Sequence, residues 1–187
     1  MKKNLLFVMS LLILTACSNS GNKAIMPPKD SIEIFNDMEN AKGMIPSWVG
    51  AERVFEMTEP PAHSGTSACI TNDTAEYSYH YEEILKNIHG EIPKRVMLSG
   101  WVYTTVANPN IAIICALNLN DDQKPLDWKT FPLDKQLPEA GKWVEFSGDF
   151  YMDYKDINPD LRISVYLWNQ SKMPVFIDDL KVTFFYK

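Results

Sequence analysis

Residues 161–168 read Leu-Arg-Ile-Ser-Val-Tyr-Leu-Trp. Leu161, Ile163, Val165 and Leu167 alternate with Arg162, Ser164, Tyr166 and Trp168. A period of two places the two sets on opposite faces of a strand, so this stretch turns one apolar face to a core. The pattern returns three times. Val96, Leu98, Gly100 and Val102 alternate with Met97, Ser99, Trp101 and Tyr103. Ile111, Ile113, Cys115, Leu117 and Leu119 alternate with Ala112, Ile114, Ala116 and Asn118. Val144, Phe146, Gly148 and Phe150 alternate with Trp143, Glu145, Ser147 and Asp149. Residues 32–37, 53–57, 67–71, 76–81 and 174–185 add further strands, with Pro-Pro, Asn-Pro and Asp-Asp clusters in the loops between. The one helical turn expected, at 82–89, is too short to organise a fold. No internal repeat is evident. These features predict an all-β, two-sheet antiparallel sandwich.

Composition agrees and removes several function classes. With 45% apolar and 22% charged residues, the 187-residue chain is too polar for a multi-span membrane protein and long enough to bury a core. The formal charge is −6 and no Lys/Arg run interrupts it, which disfavours nucleic acid as a partner.

The first sixteen residues are an address. Lys2 and Lys3 precede an apolar stretch at 5–14 broken only by Ser10, shorter than the ~20 residues a membrane span needs. Leu14-Thr15-Ala16-Cys17 then resembles the lipobox of bacterial lipoproteins. That resemblance implies cleavage before Cys17 and a lipid on its thiol, hence a membrane anchor in the cell envelope. Residues 17–30 form a polar, Pro-bearing tether, and 31–187 form the sandwich domain. The tether lacks the acidic run that resembles a surface-export signal, which favours the periplasmic leaflet of the outer membrane over the cell surface. Two cysteines remain in the domain, Cys69 and Cys115. An oxidising compartment permits a disulfide between them, while two buried free thiols are the equal alternative.

The outward members of the four clearest strands are unusual for a merely solvated face. They include Trp101, Tyr103, Trp143, Glu145, Arg162, Tyr166 and Trp168. Aromatic rings stack on the C–H face of a sugar while carboxylate and guanidinium groups bond its hydroxyls. Trp101, Tyr103, Glu145, Arg162, Tyr166 and Trp168 are therefore the candidate glycan-binding residues, provided that their strands share one sheet. Trp143, at the start of its strand, suits packing under a loop.

The order of motifs resembles the jelly-roll carbohydrate-binding modules with a galactose-binding-like fold. The pieces are FNDMEN at 35–40, Trp48, AHSGTSA at 62–68, MLSGWVYT at 97–104, KWVEF at 142–146 and FIDDLKVTF at 176–184. His63-Ser64-Gly65 and the terminal Ile177-Asp178-Asp179 carry most of the weight. The resemblance implies a two-sheet jelly roll with a sugar cleft on a concave face or at loop ends. It also implies a structural calcium (Ca2+) where the first and last strands meet. Glu39 matches the family's acidic position, although Met38 stands where the family usually has Phe. Asp178, placed by strand parity with Leu180, Val182 and Phe184 on the inward face, is the second candidate ligand, with carbonyls near Ser64 and Gly65 completing the shell. An Asp178 satisfied by backbone N–H groups is the alternative.

Enzyme signatures are not found. His63, His80 and His89 share no metal-ligand spacing, and no Gly-x-Ser-x-Gly elbow or phosphate-cradling glycine loop is present. The sequence thus leads to a non-enzymatic, lipid-anchored glycan-binding module. The competing expectation is a structural lipoprotein that docks an envelope protein with the same sandwich.

Overall fold

The computed structural model describes residues 30–119, 125–153 and 158–187. Cys17, and with it the address and most of the tether, lies outside the described residues. The first sheet contains β1 (Ser31–Asn36), β3 (Val54–Glu56), β4 (Ser67–Thr71), β6 (Arg95–Thr104), β9 (Trp143–Tyr151) and β11 (Val175–Phe185). The second contains β2 (Trp48–Val49), β5 (His80–Ile84), β7 (Ile111–Asn118), β8 (Asp127–Pro132) and β10 (Arg162–Asn169). Their orders are β3-β4-β11-β6-β9, with β1 on β11 beyond the end of β4, and β2-β5-β10-β7-β8. Every pairing described is antiparallel. The chain is the all-β two-sheet sandwich that the alternation predicts.

The apolar members of the strands are the core. Val96, Leu98 and Val102 of β6 and Phe146 and Phe150 of β9 meet Ile113, Cys115 and Leu117 of β7 and Ile163, Val165 and Leu167 of β10. Close fit holds the layers: a Cβ at Gly148 would come within 2.7 Å of Ile113 Cδ1 and 2.8 Å of Phe131 Cδ1. Packing at this density tolerates no added methyl there.

Four local expectations change. The strand expected at 76–81 begins at His80, and Tyr77 makes only an isolated bridge to Trp168. The helical turn expected at 82–89 is confined to α1 (Leu85–Ile88), because the ladder to β10 draws Glu82, Glu83 and Ile84 into β5. Two strands, β2 and β8, were not anticipated. Lastly, Cys69 and Cys115 are both free. They sit in opposite sheets, and layers packed about 10 Å apart exceed the ~7 Å Cα separation that a disulfide spans. Burial pushes both thiols up to about 12, so neither is reactive.

Strand β11 departs from strict alternation. Its register with β6 shifts between Asp178 and Lys181, and Asp179 adopts a left-handed φ of 50°. A bulge adds a residue and so exchanges the faces on either side of it. Ile177 is core and Phe176 is outward before the bulge, whereas Leu180, Val182 and Phe184 are core after it. Asp178 is therefore buried within the bulge rather than on a continuous inward face. Gly100 of β6 makes room for it, since a Cβ there would lie 3.0 Å from the Asp178 carbonyl oxygen.

Candidate functional site

The outer face of the second sheet is built on small residues. Ala112, Ile114 and Ala116 of β7 are buried on this side beneath Tyr166 and Trp168 of β10. The register aligns Glu82, Ser164, Ala116 and Trp128 in one row across β5, β10, β7 and β8. Aromatic rings rise around this low floor. Tyr77 meets Tyr166 edge-on at 5.6 Å and stacks over Trp168 at 6.2 Å. Trp128 meets the same two rings edge-on at 6.2 and 5.9 Å. Tyr166 and Trp168 are thus held between two flanking rings that remain 41% (Tyr77) and 40% (Trp128) exposed. A cleft of about 250 Å³ opens beside them, lined by Arg53, His80, Glu82, Ser164, Tyr166 and Tyr77 among others.

The polar side of the cleft is a charged network. Arg162 Nη1 donates to Glu82 Oε1 at 3.0 Å, and the Ser164 hydroxyl donates to Oε2 at 2.9 Å. His80 Nε2 lies 3.8 Å from the same oxygen, and Trp168 Nε1 donates to Glu76 at 3.2 Å. The neighbouring imidazole, the Ser164 hydroxyl and the Arg162 charge hold the Glu82 carboxyl at about 2, against its partial burial. A folded pKa below the unfolded one stabilises at pH above about 4.5, and the contribution is lost as pH falls toward 2. Glu82 accordingly contributes to stability at neutral pH, by less than the full shift would imply because solvent screens its partly exposed carboxylate. Urea unfolding from pH 7 to pH 2 is expected to show wild type and Glu82→Gln converging below about pH 4.5. A constant gap across that range would remove Glu82 from the acid limb.

The six residues expected to bind glycan do not share a surface. Arg162, Tyr166 and Trp168 lie on β10 beside this cleft, whereas Trp101, Tyr103 and Glu145 lie on β6 and β9 in the other sheet. The single-sheet premise is corrected: two outer faces carry aromatics, on opposite sides of the sandwich. Sequence reading missed Tyr77, His80, Glu82 and Trp128. The Trp128/Thr130 alternation of β8 is the signal that would have found the last of these.

On the first sheet, the loop preceding β4 is pinned onto the bulge of β11. Asp178 Oδ2 accepts from the backbone N–H groups of His63 and Ser64 at 3.0 and 3.1 Å, and Oδ1 accepts from that of Asp179 at 2.7 Å. Asp179 binds the His63 ring at 2.6 Å and the Ser64 hydroxyl at 2.7 Å. Glu39 accepts from Thr66 N, Ser67 N and the Thr66 hydroxyl at 2.7–2.9 Å. His63 then stacks on Trp101 with centroids 3.9 Å apart, and Trp143 Nε1 donates to the Pro61 carbonyl at 3.0 Å. Trp143 does pack under a loop.

The calcium implied by the resemblance fits this donor set poorly. Calcium takes six to eight oxygens, and the loop presents N–H donors rather than carbonyls to both carboxylates. Asp178 Oδ2 and Glu39 Oε1 each already accept two N–H groups. Among the described residues, no group of three or more His, Cys, Asp or Glu converges to hold a metal.

No family model matches the chain, and no curated protein matches it. Solved structures do. One holds the CBM22-1 and GH10 modules of the Clostridium thermocellum endo-1,4-beta-D-xylanase 10B, complexed with xylohexaose: 12% identity, TM-score 0.49, covering 74% of this chain and 26% of that one. The sandwich thus spans about a quarter of that xylanase chain. A second is the CBM22-1 xylan-binding domain from Paenibacillus barcinonensis, 14% identical with TM-score 0.48, covering 82% of this chain and 94% of that one. A third is described as a family 16 carbohydrate-binding module, 14% identical with TM-score 0.45, covering 79% and 99% respectively. The likeness is one of fold.

Proposed function

We propose that this chain is a non-enzymatic glycan-binding module held at the cell envelope by a lipid on Cys17. One observation supports it above the others. The outer face of the second sheet combines an aromatic quartet, two of its rings substantially exposed, with the hydrogen-bonded Glu82–Arg162–Ser164 cluster beside a cleft. Such a surface offers stacking area for pyranose rings and fixed polar groups for their hydroxyls. A flat apolar patch would favour a protein partner instead; this surface carries a cleft and a charged network. The full chain is expected to bind at least one linear polysaccharide on a glycan array. A folded protein that binds no glycan would shift the reading to docking of an envelope protein.

In this proposal residues 1–16 are removed, 17–30 tether the domain, and residues 31–187 bind glycan on the periplasmic side of the outer membrane. Cys17→Ser is expected to abolish labelling by a fatty-acid analogue and to move the protein from membrane to soluble fractions. Labelling that persists in the variant would reject Cys17 as the lipid site.

A further inference from the structure

We propose that a groove on the outer face of the first sheet is a second saccharide site, independent of the cleft and facing the opposite way. Phe35 of β1 pairs in register with Lys181 of β11, which pairs with Ser99 of β6; Trp101 lies two residues beyond Ser99. The groove among these residues has a volume of about 360 Å³, room for one or two sugar units.

Three features make it a built site rather than a dent. Phe35 is 56% exposed on one wall, far more than a phenyl ring needs if it serves the core. Trp101, on the other wall, is fixed before any ligand arrives. His63 stacks on it with an interplanar angle of 13°, and Asp179 holds the imidazole in place. Pre-setting a ring removes part of the ordering cost of binding. Finally, Ser99 lines the groove, which places a hydroxyl-bearing side chain between the two aromatic residues. A hydroxyl there can both donate to and accept from a sugar hydroxyl.

The rim selects the class of sugar. Glu33, Glu145 and Asp179 line the groove against one cation, Lys181, whose ammonium lies 3.5 Å from Glu33. With Glu33 facing Lys181 and Asp179 bound by His63 and Ser64, Glu145 is the carboxylate that repels uronates and sulfated sugars, while it and the ammonium group accept from and donate to neutral hydroxyls. The ligand is an uncharged sugar unit stacked between Phe35 and Trp101. Two sites on opposite faces allow one molecule to bridge two glycan chains.

The test follows the indole N–H signals of the ¹⁵N-labelled full chain, assigned with Trp→Phe variants. Xylohexaose, cellohexaose, chitohexaose and trigalacturonate are titrated to about 10 mM, a range that captures weak single-site binding. The Trp101 signal is expected to shift with a neutral oligosaccharide and to stay still with trigalacturonate. The shift persists when the cleft is disabled by Tyr77→Ala with Trp128→Ala. Phe35→Ala, a change at an exposed ring, weakens the Trp101 titration about tenfold and leaves that of Trp168 unchanged. A moving Trp168 with a still Trp101 overturns the second site and keeps the cleft; stillness of both overturns both. Loss of the Trp101 shift in the cleft-disabled variant, or no effect of Phe35→Ala, also overturns it. An equal shift with trigalacturonate overturns the charge argument.

Discussion

A chain carrying Tyr77→Ala and Trp128→Ala together is expected to lose about tenfold or more in affinity for its best oligosaccharide while melting close to wild type. Each ring, at 41% and 40% exposure, flanks Tyr166 and Trp168 without entering the core. An aromatic contact is worth about 0.5–1.5 kcal/mol beyond area burial, and 1.4 kcal/mol is tenfold in affinity. Both rings flank Tyr166 and Trp168, so the two losses are coupled rather than strictly additive. Truncating Tyr79, which is fully buried, gives the contrasting pattern: a core aromatic removed costs about 3–5 kcal/mol. Binding isotherms and thermal melts of the double variant and of Tyr79→Ala separate the two cases. If the flanking rings prove as costly to stability as Tyr79, they are packing and the cleft loses its stacking surface.

The rings on β10 were legible because Tyr166 and Trp168 fall between core positions in an unbroken alternation. Trp128 was not. The inward members of its strand include Asp127 and Lys129, and the strand ends at Pro132 on the sheet edge, where a missing N–H is harmless. Glu82 was hidden for another reason. Residues 82–88 (EEILKNI) are rich in helix formers, and local propensity points to a helical turn. The ladder from Val165 back to Arg162 overrides it and lays Glu82 opposite Ser164. The division of the six candidate residues between two faces lies beyond any local pattern. Parity says which side chains share a face of one strand, whereas the sheet a strand joins is decided by pairings many residues away. The same is true of the two cysteines, each read correctly as a strand residue and each in a different layer.

Parity itself fails at β11, and the failure concentrates the next largest effect. Asp178→Ala is expected to destabilise the fold by roughly 3 kcal/mol or more, because it strands the N–H groups of His63, Ser64 and Asp179 around a buried site. Loop 61–66 would then lose its clamp, and the His63 ring its fixed place on Trp101. The carboxyl also carries a pH signature. Burial pushes it up to about 6, aided by the charge of Asp179 and opposed by the three N–H donors. With the folded pKa above the unfolded 3.8, the native state holds its proton longer, so this group lowers stability as pH rises from about 4 to 6. That slope is opposite in sign to the one from Glu82, and Asp178→Ala removes it while Glu82→Gln does not. Calcium enters the same experiment as a control on the resemblance. Melting curves with calcium and with chelator are expected to superimpose, since the oxygens of Asp178 and Glu39 already serve backbone donors. A midpoint raised by calcium and insensitive to it in Asp178→Ala would mean that the carboxylates exchange those donors for a cation, because only a ligand favouring the native state stabilises it.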